Sequence, residues 1–487
     1  MPLTRRQFTA RLAAGAALPA VTGVLQAQAA AVRTRSQALQ TVDVLVIGAG
    51  LSGLQSALLL EELGAQVQVI EARHRIGGRV YTLTDRPGFP EVGGNGFASG
   101  YGRVLDRVKS LQLPLLDTTP LRVRYPKMEL VLGSDIVSRE AWTAASVNPL
   151  PADARGRFPW EFGGAYLARN NPLQSADAWL DDARADLDVS LHDWLAARGL
   201  DERVIQLCWS TNPYFGSSAF DVSALQSLFN DAWIKAVTQG SSAALSIDGG
   251  NYQLPAAMAR QLKREIRLDQ EVVALRDDGS MVTVDCRDGT RYRAKQVICS
   301  LPFSVLRHVH IDPVLPALQA EAVNNLPYMQ NTLIFFTPKR RFWQEDGLSP
   351  TMWTDGIAGT ISAQRFGKNP DDVTAIVANP RGKAALWLDR LPPDEAIRLV
   401  RLEIERLRPA ARGALAGGWI HSWGRDPFSA GDWAVFGPGQ IRRFARQMSA
   451  PHGRIHFCGE HTARANRGME GAMESAERVA LEVSEGL

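Results

Sequence analysis

The stretch GAGLSG at residues 48–53 follows the apolar run VDVLVI (42–47) and leads into LQSALLLEELG (54–64). These residues predict a strand that turns sharply into a helix. In such a turn Gly48 permits the tight bend, Gly50 lets a pyrophosphate approach the backbone, and Gly53 lets the helix pack on the strand. The helix N-terminus adds free N–H groups and a positive dipole end. The glycine pattern alone is a weak signal, so its context decides its meaning.

The segment after the predicted helix supplies that context. The strand AQVQVIE (65–71) ends at Glu71, where a carboxylate can accept hydrogen bonds from ribose hydroxyls. The run EARHRIGGRV, which begins at Glu71, then places Arg73 and Arg79 around a second glycine pair. A clamp of backbone and arginines this close to the ribose acid favours a flavin dinucleotide, bound permanently and in extended form, over an exchangeable nicotinamide dinucleotide. The sequence therefore predicts a Rossmann-like dinucleotide-binding domain.

The first residues, TRRQFTARLAAGAALPAVTGVLQAQAAAV from Thr4, have the pattern of an export signal. The pair Arg5 and Arg6 precedes a short alanine-rich apolar stretch and small residues typical of a cleavage site, as in the route that carries folded proteins. The apolar stretch is too short to span a bilayer. Residues 1–30 are therefore predicted to be a twin-arginine-type signal, and the mature protein periplasmic or secreted. An amphipathic anchor is the alternative.

Charge and cysteine content narrow the possible partners. The chain has 54 Lys and Arg against 51 Asp and Glu, a formal net charge of +3, so no global field argues for nucleic acid or an anionic membrane. The four cysteines are far apart, with no CxxC pair to suggest a zinc site. We therefore expect no metal site and no membrane span in the mature chain. The oligomeric state stays open, with a homodimer as one option.

Strand-like and helical segments alternate along the chain in blocks. Strand signals cluster at 42–100 and 241–314, and the C-terminal RIHFCGEHT enters a long helix within 411–487. Helical, Trp-rich and Pro-punctuated segments occupy 101–240 and 315–410. The sequence therefore predicts an α/β fold in which one domain is assembled from three separated pieces and another is inserted twice.

Five stretches, in this order, resemble the flavin-dependent amine oxidases: GAGLSGL, EARHRIGGRV, IDGGNYQLPAAMA, SWGRDPFSAGDWAVFGPGQ and FCGEHTARANRGMEGAMESAERVA. That family includes monoamine oxidases, polyamine oxidases, L-amino-acid oxidases and bacterial nicotine oxidoreductases. The resemblance spans about residue 42 to the C-terminus, and its first and last stretches are the most specific. It implies a Rossmann-like FAD-binding domain with an interleaved mixed-sheet and helical substrate domain, and FAD lying extended between them.

The resemblance also implies a cofactor role for individual residues. Val272 resembles the residue whose backbone meets adenine, and Trp423 resembles the tryptophan packed by the isoalloxazine; core packing is the alternative for both. Gly459 and Glu460 would meet the ribityl chain. Met469 would direct its backbone N–H at the flavin O2 region, where a helix dipole stabilises the anion of reduced flavin. The implied cofactor-binding residues are Gly48, Gly50, Ser52, Gly53, Glu71, Ala72, Arg73, Gly78, Arg79, Val272, Trp423, Gly459, Glu460 and Met469.

The implied reaction is oxidation of an amine C–N bond. Hydride passes from the α-carbon to flavin N5, and the resulting imine hydrolyses to a carbonyl product, with hydrogen peroxide or a reduced electron carrier as co-product. No Ser-His-Asp arrangement in the sequence indicates a different chemistry. A flavoprotein desaturase or porphyrinogen-type oxidase is an alternative, because it would share the FAD-binding half.

The resemblance places the two residues that flank the amine at Trp433 and Gly468. One wall is then aromatic and the other open, which is more similar to L-amino-acid oxidases than to the two-tyrosine monoamine oxidases. In several amino-acid oxidases an arginine near the position of Asn95 to Phe97 binds the substrate carboxylate bidentately. This sequence has none there, and Arg103 lies further on. A non-carboxylated amine is therefore the expected substrate, with an L-amino acid as the alternative.

Two departures from the family pattern concern the flavin. The cysteine that forms a thioether to flavin in monoamine oxidases is replaced by Asp432, so FAD is expected to be non-covalent. Most relatives carry a lysine that is water-bridged to flavin N5. Here Thr332 takes its place, with Asn331 as the one-residue alternative. The cationic residues 339–341 come too far along the chain to occupy that position. Because neither side chain can be cationic, we expect slow reoxidation by dioxygen and a periplasmic electron carrier as acceptor.

Overall fold

The computed structural model describes residues 40–119, 127–241, 243–364, 369 and 371–487. The predicted export signal at 1–30 lies outside the described residues. From Gln40 onward the chain forms one compact unit that contains two large sheets. Within the described ranges, no helix is both long and apolar enough to cross a membrane.

The strands are mostly short, and the longest ones lie inside the two large sheets. In chain order the strands are β1 Gln40–Ile47, β2 Val67–Ile70, β3 Tyr81–Thr82, β4 Glu91–Gly93, β5 Phe97–Ala98, β6 Leu115–Asp117, β7 Glu129–Leu132, β8 Asp135–Val137, β9 Ala244–Ile247, β10 Val272–Asp277, β11 Val282–Cys286, β12 Arg291–Cys299, β13 His310–Asp312, β14 Thr332–Pro338, β15 Met352–Thr354, β16 Thr360–Gln364, β17 Ala375–Asn379, β18 Leu415–Ser422 and β19 Ile455–Phe457.

Helices connect these strands and form most of the segment between β8 and β9. In chain order the α-helices are α1 Leu51–Glu62, α2 Gly102–Ser110, α3 Arg139–Ala144, α4 Pro159–Asn170, α5 Leu191–Ala196, α6 Glu202–Ile205, α7 Ala224–Thr238, α8 Gln253–Gln261, α9 Phe303–Leu306, α10 Ala317–Asn325, α11 Phe342–Glu345, α12 Lys383–Leu388, α13 Pro393–Leu407 and α14 Gly468–Ser484. Short 3-10 turns lie at Ala152–Ala154, Asp177–Leu180, Asp182–Leu187, Pro409–Ala411 and Glu460–Thr462, and π turns at Gln206–Ser210 and Ile441–Ala445.

The first large sheet carries the glycine-rich turn at the end of an inner strand. β1 pairs in parallel with β2 on one side and with β12 on the other, and β12 also pairs in parallel with β19. The sheet continues through β11 and β10 to β13. Val44, Leu45 and Val46 of β1 are fully buried, which is why this strand reads as a continuous apolar run. The predicted Rossmann-like α/β fold is confirmed.

The second large sheet has the strand order β18-β14-β17-β16-β15-β7-β8. It is mixed, because β15 pairs in parallel with β7 whereas β14 pairs antiparallel with β17 and β18. β18 lies within the range 411–487, which the sequence assigns to the FAD-binding domain, although it pairs with β14 of the second sheet. Its partner β14 is far away in sequence, and a local pattern does not reveal which distant strand a segment will join.

The turn between β1 and α1 has the geometry that its glycines predict. Gly48 has φ +102°, a value that favours glycine, and Gly50 is the N-cap of α1. A Cβ on Gly53 would lie 2.0 Å from the carbonyl oxygen of Gly48, so only glycine lets α1 pack this closely on the turn. The last helix, α14, packs against α1. The N-terminus of α1 is thereby held at a fixed place beside the first sheet.

Candidate functional site

One cavity of about 560 Å³ is lined by residues of both large sheets. Its wall includes the glycine-rich turn after β1, the segment after β2, the start of β10 and the N-terminus of α14. These elements lie far apart in the sequence; β1, β2 and β10 belong to the first sheet, and α14 packs against α1. The cavity is where most of the predicted site residues meet.

The glycine-rich turn forms one part of this wall. Gly48, Gly50 and Ser52 line the cavity, whereas Gly53 packs behind it. The first turn of α1 contains no acidic side chain, and Gly50 provides no side-chain cap. Gly78, with φ +56°, closes over the turn, and a Cβ there would lie 3.4 Å from the Cα of Gly50. Free backbone N–H groups and the positive end of α1 therefore face the cavity, as an anion-binding turn requires.

The Glu71 carboxylate is fixed at the end of β2. It is buried, its Oε2 accepts a hydrogen bond from the Ala49 backbone N–H at 2.9 Å, and its Oε1 accepts one from the Arg73 backbone N–H at 2.9 Å. Ala72 and Arg73 line the cavity beside it. The Arg73 guanidinium donates to Asp426 at 2.5 Å, so its charge is already paired. The remaining lone pairs of Glu71 are available to hydroxyl donors.

Arg79 and Glu460 form a buried ion pair on the same wall. Arg79 Nη1 lies 3.0 Å from Glu460 Oε1 and also donates to the backbone carbonyl of Asp432. The same Oε1 accepts from the Ala434 backbone N–H at 2.9 Å. Burial opposes ionisation of Glu460, but the Arg79 charge holds its pKa below the usual range. The pair fixes the loop that carries Asp432 against the glycine pair next to Arg79.

Four further predicted residues also line the cavity: Val272 at the start of β10, Gly459 after β19, and Gly468 and Met469 at the start of α14. Gly459 has φ +134°, and a Cβ there would lie 2.6 Å from the ring of His461. The N-terminus of α14 therefore lies at the cavity wall, with backbone N–H groups and a positive dipole end.

Trp423 does not line the cavity. Its side chain is fully buried, and its indole N–H donates to the Val92 carbonyl at 3.2 Å. The ring lies against Gly93, where a Cβ would come within 2.8 Å of it, and Gly93 is the residue that lines the cavity. This position agrees with the alternative of core packing, and the cofactor role of Trp423 stays a prediction. The ring supports the cavity wall from behind.

Thr332 was predicted at the cavity, and the structure places Asn331 there instead. The Thr332 hydroxyl donates to Asp389 Oδ1 at 2.8 Å, away from the cavity, because adjacent residues near the start of β14 point to opposite faces. Asn331 lines the cavity, its Nδ2 donates to Asp432 Oδ2 at 2.6 Å, and its buried Oδ1 has no hydrogen-bond partner in the described chain. Residues 339–341 are exposed beyond the end of β14, as predicted.

Trp433 and Gly468 face the same part of the cavity. The Trp433 ring stacks on Tyr214 with centroids 5.4 Å apart, and its buried indole N–H has no partner among the described residues. A Cβ on Gly468 would meet no heavy atom within 4 Å. The cavity wall is therefore aromatic at Trp433 and leaves open space at Gly468; that the two flank the amine stays a prediction.

The part of the cavity next to Trp433 and Tyr214, here called the substrate chamber, includes residues that were not among the predicted site residues. Tyr101, Asn230 and Trp233 come from α7 and the segment before α2, and Arg381 and Arg467 lie in the loops before α12 and α14. Arg467 stands in the quoted C-terminal stretch, directly before Gly468, but was given no role there; the other four stand in none of the quoted stretches. In contrast, Arg103 pairs with Glu470 and Glu477 and does not line the cavity.

The cavity fits a dinucleotide cofactor in its donor set. The free N–H groups of two helix N-termini suit a phosphate and a ring carbonyl, and the Glu71 carboxylate suits ribose hydroxyls. The glycines at 48, 50 and 78 leave room for a phosphate to approach the backbone closely. The described residues contain no group of three or more His, Cys, Asp or Glu side chains that could hold a metal. Fold and site together define an oxidoreductase of the dinucleotide-dependent class.

The chain belongs to the flavin-containing amine oxidoreductase family, whose family model matches residues 51–484. It is therefore an oxidoreductase that acts on amines and uses a flavin.

Named relatives match the chain over most of its length. The protein of Bacillus subtilis (strain 168) named "Putative L-amino-acid oxidase YobN" is 27% identical over 468 residues, covering 91% of this chain and 94% of the relative. Flavin-containing amine oxidase B of Cavia porcellus is also 27% identical over 468 residues, covering 91% of this chain and 86% of the relative. Both belong to the kind of enzyme that the sequence motifs resemble.

Solved structures share the fold. Cyclohexylamine oxidase from Brevibacterium oxydans IH-35A superposes with a TM-score of 0.73 at 21% identity, covering 91% of this chain and 99% of that chain. Wild-type putrescine oxidase bound to putrescine superposes with a TM-score of 0.72 at 23% identity, covering 92% of this chain and 100% of that chain.

Proposed function

We propose that the protein binds FAD non-covalently and oxidises the C–N bond of a small amine. When bound, the flavin ring supplies the acceptor for the hydride that leaves the substrate α-carbon. As the C–H electron pair leaves, the nitrogen lone pair forms the C=N bond and the nitrogen loses a proton. Water then hydrolyses the imine to a carbonyl product and ammonia or a smaller amine.

The chain contributes binding and orientation to this reaction. The turn around Gly50 would hold the pyrophosphate, Glu71 the adenosine ribose and Val272 the adenine. The backbone N–H of Met469, at the N-terminus of α14, would stabilise negative charge on the reduced ring. Trp433 would hold the amine in place from one side. These roles are supported by the position of each residue on the cavity wall.

A single observation carries the proposal. One continuous cavity joins the phosphate-binding turn to a polar chamber walled by Trp433. A cofactor bound along the turn can therefore present its reactive end to a substrate in the chamber. None of the four cysteines in the described chain lines this cavity, which supports non-covalent attachment.

The test uses the purified holoenzyme. It should be yellow, acid precipitation should leave FAD in the supernatant, and anaerobic mixing with an amine should bleach the flavin absorbance. Colour retained in the pellet would contradict non-covalent attachment. A protein without flavin, or a flavin that no amine reduces, would overturn the proposed function.

We further propose that the electron acceptor is a periplasmic carrier rather than dioxygen. Asn331, at the place where most relatives are expected to have a lysine, is neutral, and the cationic side chains at 339–341 are remote from the cavity. A neutral amide stabilises a developing superoxide less than an ammonium would, because charged donors make roughly twice the interaction of neutral ones.

Glu71→Gln is expected to weaken FAD binding by about 1–3 kcal/mol, because the amide replaces a charged acceptor of ribose hydroxyls. Glu129→Gln is the matched control, since Glu129 is equally buried and accepts the Ser349 backbone N–H at 2.9 Å but lies outside the cavity. FAD titration of both apoproteins measures the effect. Equal loss in the two variants would mean that Glu71 acts only through protein stability.

Gly468→Tyr is expected to fill the open wall and to lower turnover of branched amines by about tenfold more than that of slim primary amines. Gly468 has φ +56°, so any side chain also strains the backbone. Gly468→Ala measures that strain alone, because its Cβ would meet no heavy atom within 4 Å. If the tyrosine and alanine variants lose the same fraction of turnover with every substrate, the role of Gly468 lies in its backbone conformation.

We propose in addition that the protein is exported in folded form. The support is the twin-arginine pattern around Arg5 and Arg6, followed by a short apolar stretch. Replacing both arginines with lysine should leave the protein in the cytoplasm of a host that has the twin-arginine route, as measured by cell fractionation. Unchanged export of this variant would contradict the proposal.

A further inference from the structure

Two arginines line the substrate chamber without an acidic partner. Arg381 lies in the loop between β17 and α12, and Arg467 immediately precedes α14. Arg467 is only 7% exposed. In the described chain, neither guanidinium has a carboxylate oxygen within the 4.0 Å of an ion pair.

Each guanidinium uses little of its hydrogen-bonding capacity. Arg381 Nε donates to Asn379 Oδ1 at 3.4 Å, and Arg467 Nη1 donates to Asn230 Oδ1 at 3.0 Å. A guanidinium has about five N–H donors in a planar fork. Most donors of both arginines are therefore free to bind a group that enters the cavity.

Two other arginines with little exposure, Arg79 and Arg408, do have acidic partners. Arg79 pairs with Glu460 at 3.0 Å, and Arg408, which is fully buried, binds both oxygens of Asp346 at 2.7 Å. Buried charges are normally paired because removal from water is costly. Burial lowers the pKa of both Arg381 and Arg467, because it disfavours the charged guanidinium. An anion bound in the chamber would offset this cost of burying charge.

The two guanidiniums are held against aromatic rings. Arg381 Cζ lies 5.5 Å from the ring centroid of Tyr214 and 5.8 Å from that of Trp433. Arg467 Cζ lies 4.4 Å from the ring centroid of Phe215, the neighbour of Tyr214. The Arg381 charge thus lies beside Trp433, the residue proposed to hold the amine, whereas Arg467 lines the cavity with its guanidinium against Phe215, which does not line it.

Two acidic side chains of the cavity wall, Asp432 and Glu460, act on the arginines electrostatically. Neither forms an ion pair with Arg381 or Arg467, and Glu460 pairs with Arg79. Asp432 Oδ2 accepts from Asn331 Nδ2 at 2.6 Å. Burial raises the pKa of Asp432 to about 6, opposed by the Asn331 hydrogen bond and the Arg79 charge. The acid group that complements the two arginines is therefore not supplied by the described chain.

We propose that the amine oxidised by this protein carries a carboxylate, and that Arg381 and Arg467 bind that carboxylate. This inference rests on the proposed function and names its substrate class. The planar guanidinium fork matches a carboxylate, and lysine cannot copy that geometry. This proposal reverses the expectation of a non-carboxylated amine, because that expectation was based only on the segment around Asn95 and Phe97. The cationic residues come from two other loops.

The first experiment titrates the holoenzyme with benzoate and with benzamide, following the flavin spectrum. Benzoate should bind and benzamide should bind far more weakly. Arg381→Gln and Arg467→Gln should each weaken benzoate binding roughly 30- to 100-fold, as loss of one partner of a buried charge pair does. Arg103→Gln is the control, because Arg103 lies near the start of α14 but pairs with Glu470 and Glu477 outside the cavity.

The second experiment compares amines that differ only in the carboxylate: L-phenylalanine with phenethylamine, L-leucine with 3-methylbutylamine, and L-lysine with cadaverine. Anaerobic flavin reduction should favour the carboxylated member of at least one pair. Arg381→Gln and Arg467→Gln should reduce that preference by roughly 30-fold or more. Arg381→Lys should restore only part of it, because an ammonium binds a carboxylate without the bidentate geometry.

The outcomes separate the two proposals. If the decarboxylated amines reduce the flavin faster and the Arg variants leave benzoate binding unchanged, the carboxylate inference is wrong while amine oxidation stands. If no amine, with or without a carboxylate, reduces the flavin of the wild type, the proposed function fails, and the benzoate titration alone decides whether the arginines bind a carboxylate.

Discussion

Gly50→Ala is expected to lower FAD affinity by at least roughly 100-fold, or about 2.7 kcal/mol, while the protein still folds. Gly50 has φ −78° and ψ 177°, which alanine adopts without strain, and a Cβ there would meet no heavy atom within 4 Å. The added methyl group would instead project into the space that the pyrophosphate needs for close approach to the backbone. The loss therefore falls on cofactor binding and not on the fold.

Gly53→Ala provides the contrast. A Cβ on Gly53 would lie 2.0 Å from the Gly48 carbonyl oxygen, so α1 would have to move away from the turn, at a cost of about 1–3 kcal/mol or more. Circular dichroism melts of the apoproteins and FAD titrations measure the two effects separately. We expect Gly53→Ala to have a lower melting temperature than the wild type and Gly50→Ala to have the wild-type melting temperature. Wild-type FAD affinity in Gly50→Ala would mean that the phosphates bind elsewhere.

Asn331→Lys is expected to accelerate reoxidation of the reduced flavin by dioxygen by roughly ten- to a hundredfold. Asn331 lines the cavity and has an unpartnered Oδ1, and its Nδ2 lies 2.6 Å from Asp432 Oδ2. A lysine at this position could therefore remain charged by pairing with Asp432. Its ammonium would stabilise the superoxide that develops as the first electron reaches dioxygen.

The measurement reduces the flavin anaerobically, mixes it with oxygenated buffer and follows the return of absorbance at the flavin maximum. Asn331→Gln is the matched control, because it lengthens the side chain without adding charge. A fast wild-type rate, or equal acceleration by glutamine and lysine, would show that charge at position 331 does not limit the reaction with dioxygen. The protein would then be an oxidase in practice.

The sequence predicted those parts of the site whose chemistry is local. Gly48, Gly50 and Gly53 are three residues of one turn, and each has a backbone requirement that can be read from the spacing alone. Glu71 follows at the end of the next strand. These contacts depend on neighbours within about one strand-helix-strand unit, so the pattern contains most of the information needed to place them.

Side-chain direction was harder to predict. Thr332 and Asn331 are adjacent, and a shift of one residue in the alignment moves the side chain from the cavity to the opposite face of the strand. Trp423 was assigned to the cofactor although its ring lies behind Gly93. From sequence alone, an aromatic residue that contacts a ligand looks the same as one that packs behind the cavity wall and supports its backbone.

The arginines of the chamber could not have been found by spacing. Arg381 follows a strand of the second sheet, whereas Arg467 precedes the last helix, and Tyr214 and Phe215 come from a third region. Their proximity results from how the two sheets and the helical segment pack. Only the folded chain reveals that both guanidiniums lack an acidic partner.

The late position of β19 and α14 has a consequence for assembly in the cell. β19 completes the first sheet by pairing with β12, α14 packs against α1, and Gly459 and Met469 close the cavity wall. The glycine-rich turn is synthesised early, but its cavity stays incomplete until residues 455–484 have been synthesised and have folded against it. Stable flavin binding would therefore follow the synthesis of this segment, and on the folded export route proposed above it would take place in the cytoplasm before the protein crosses the membrane.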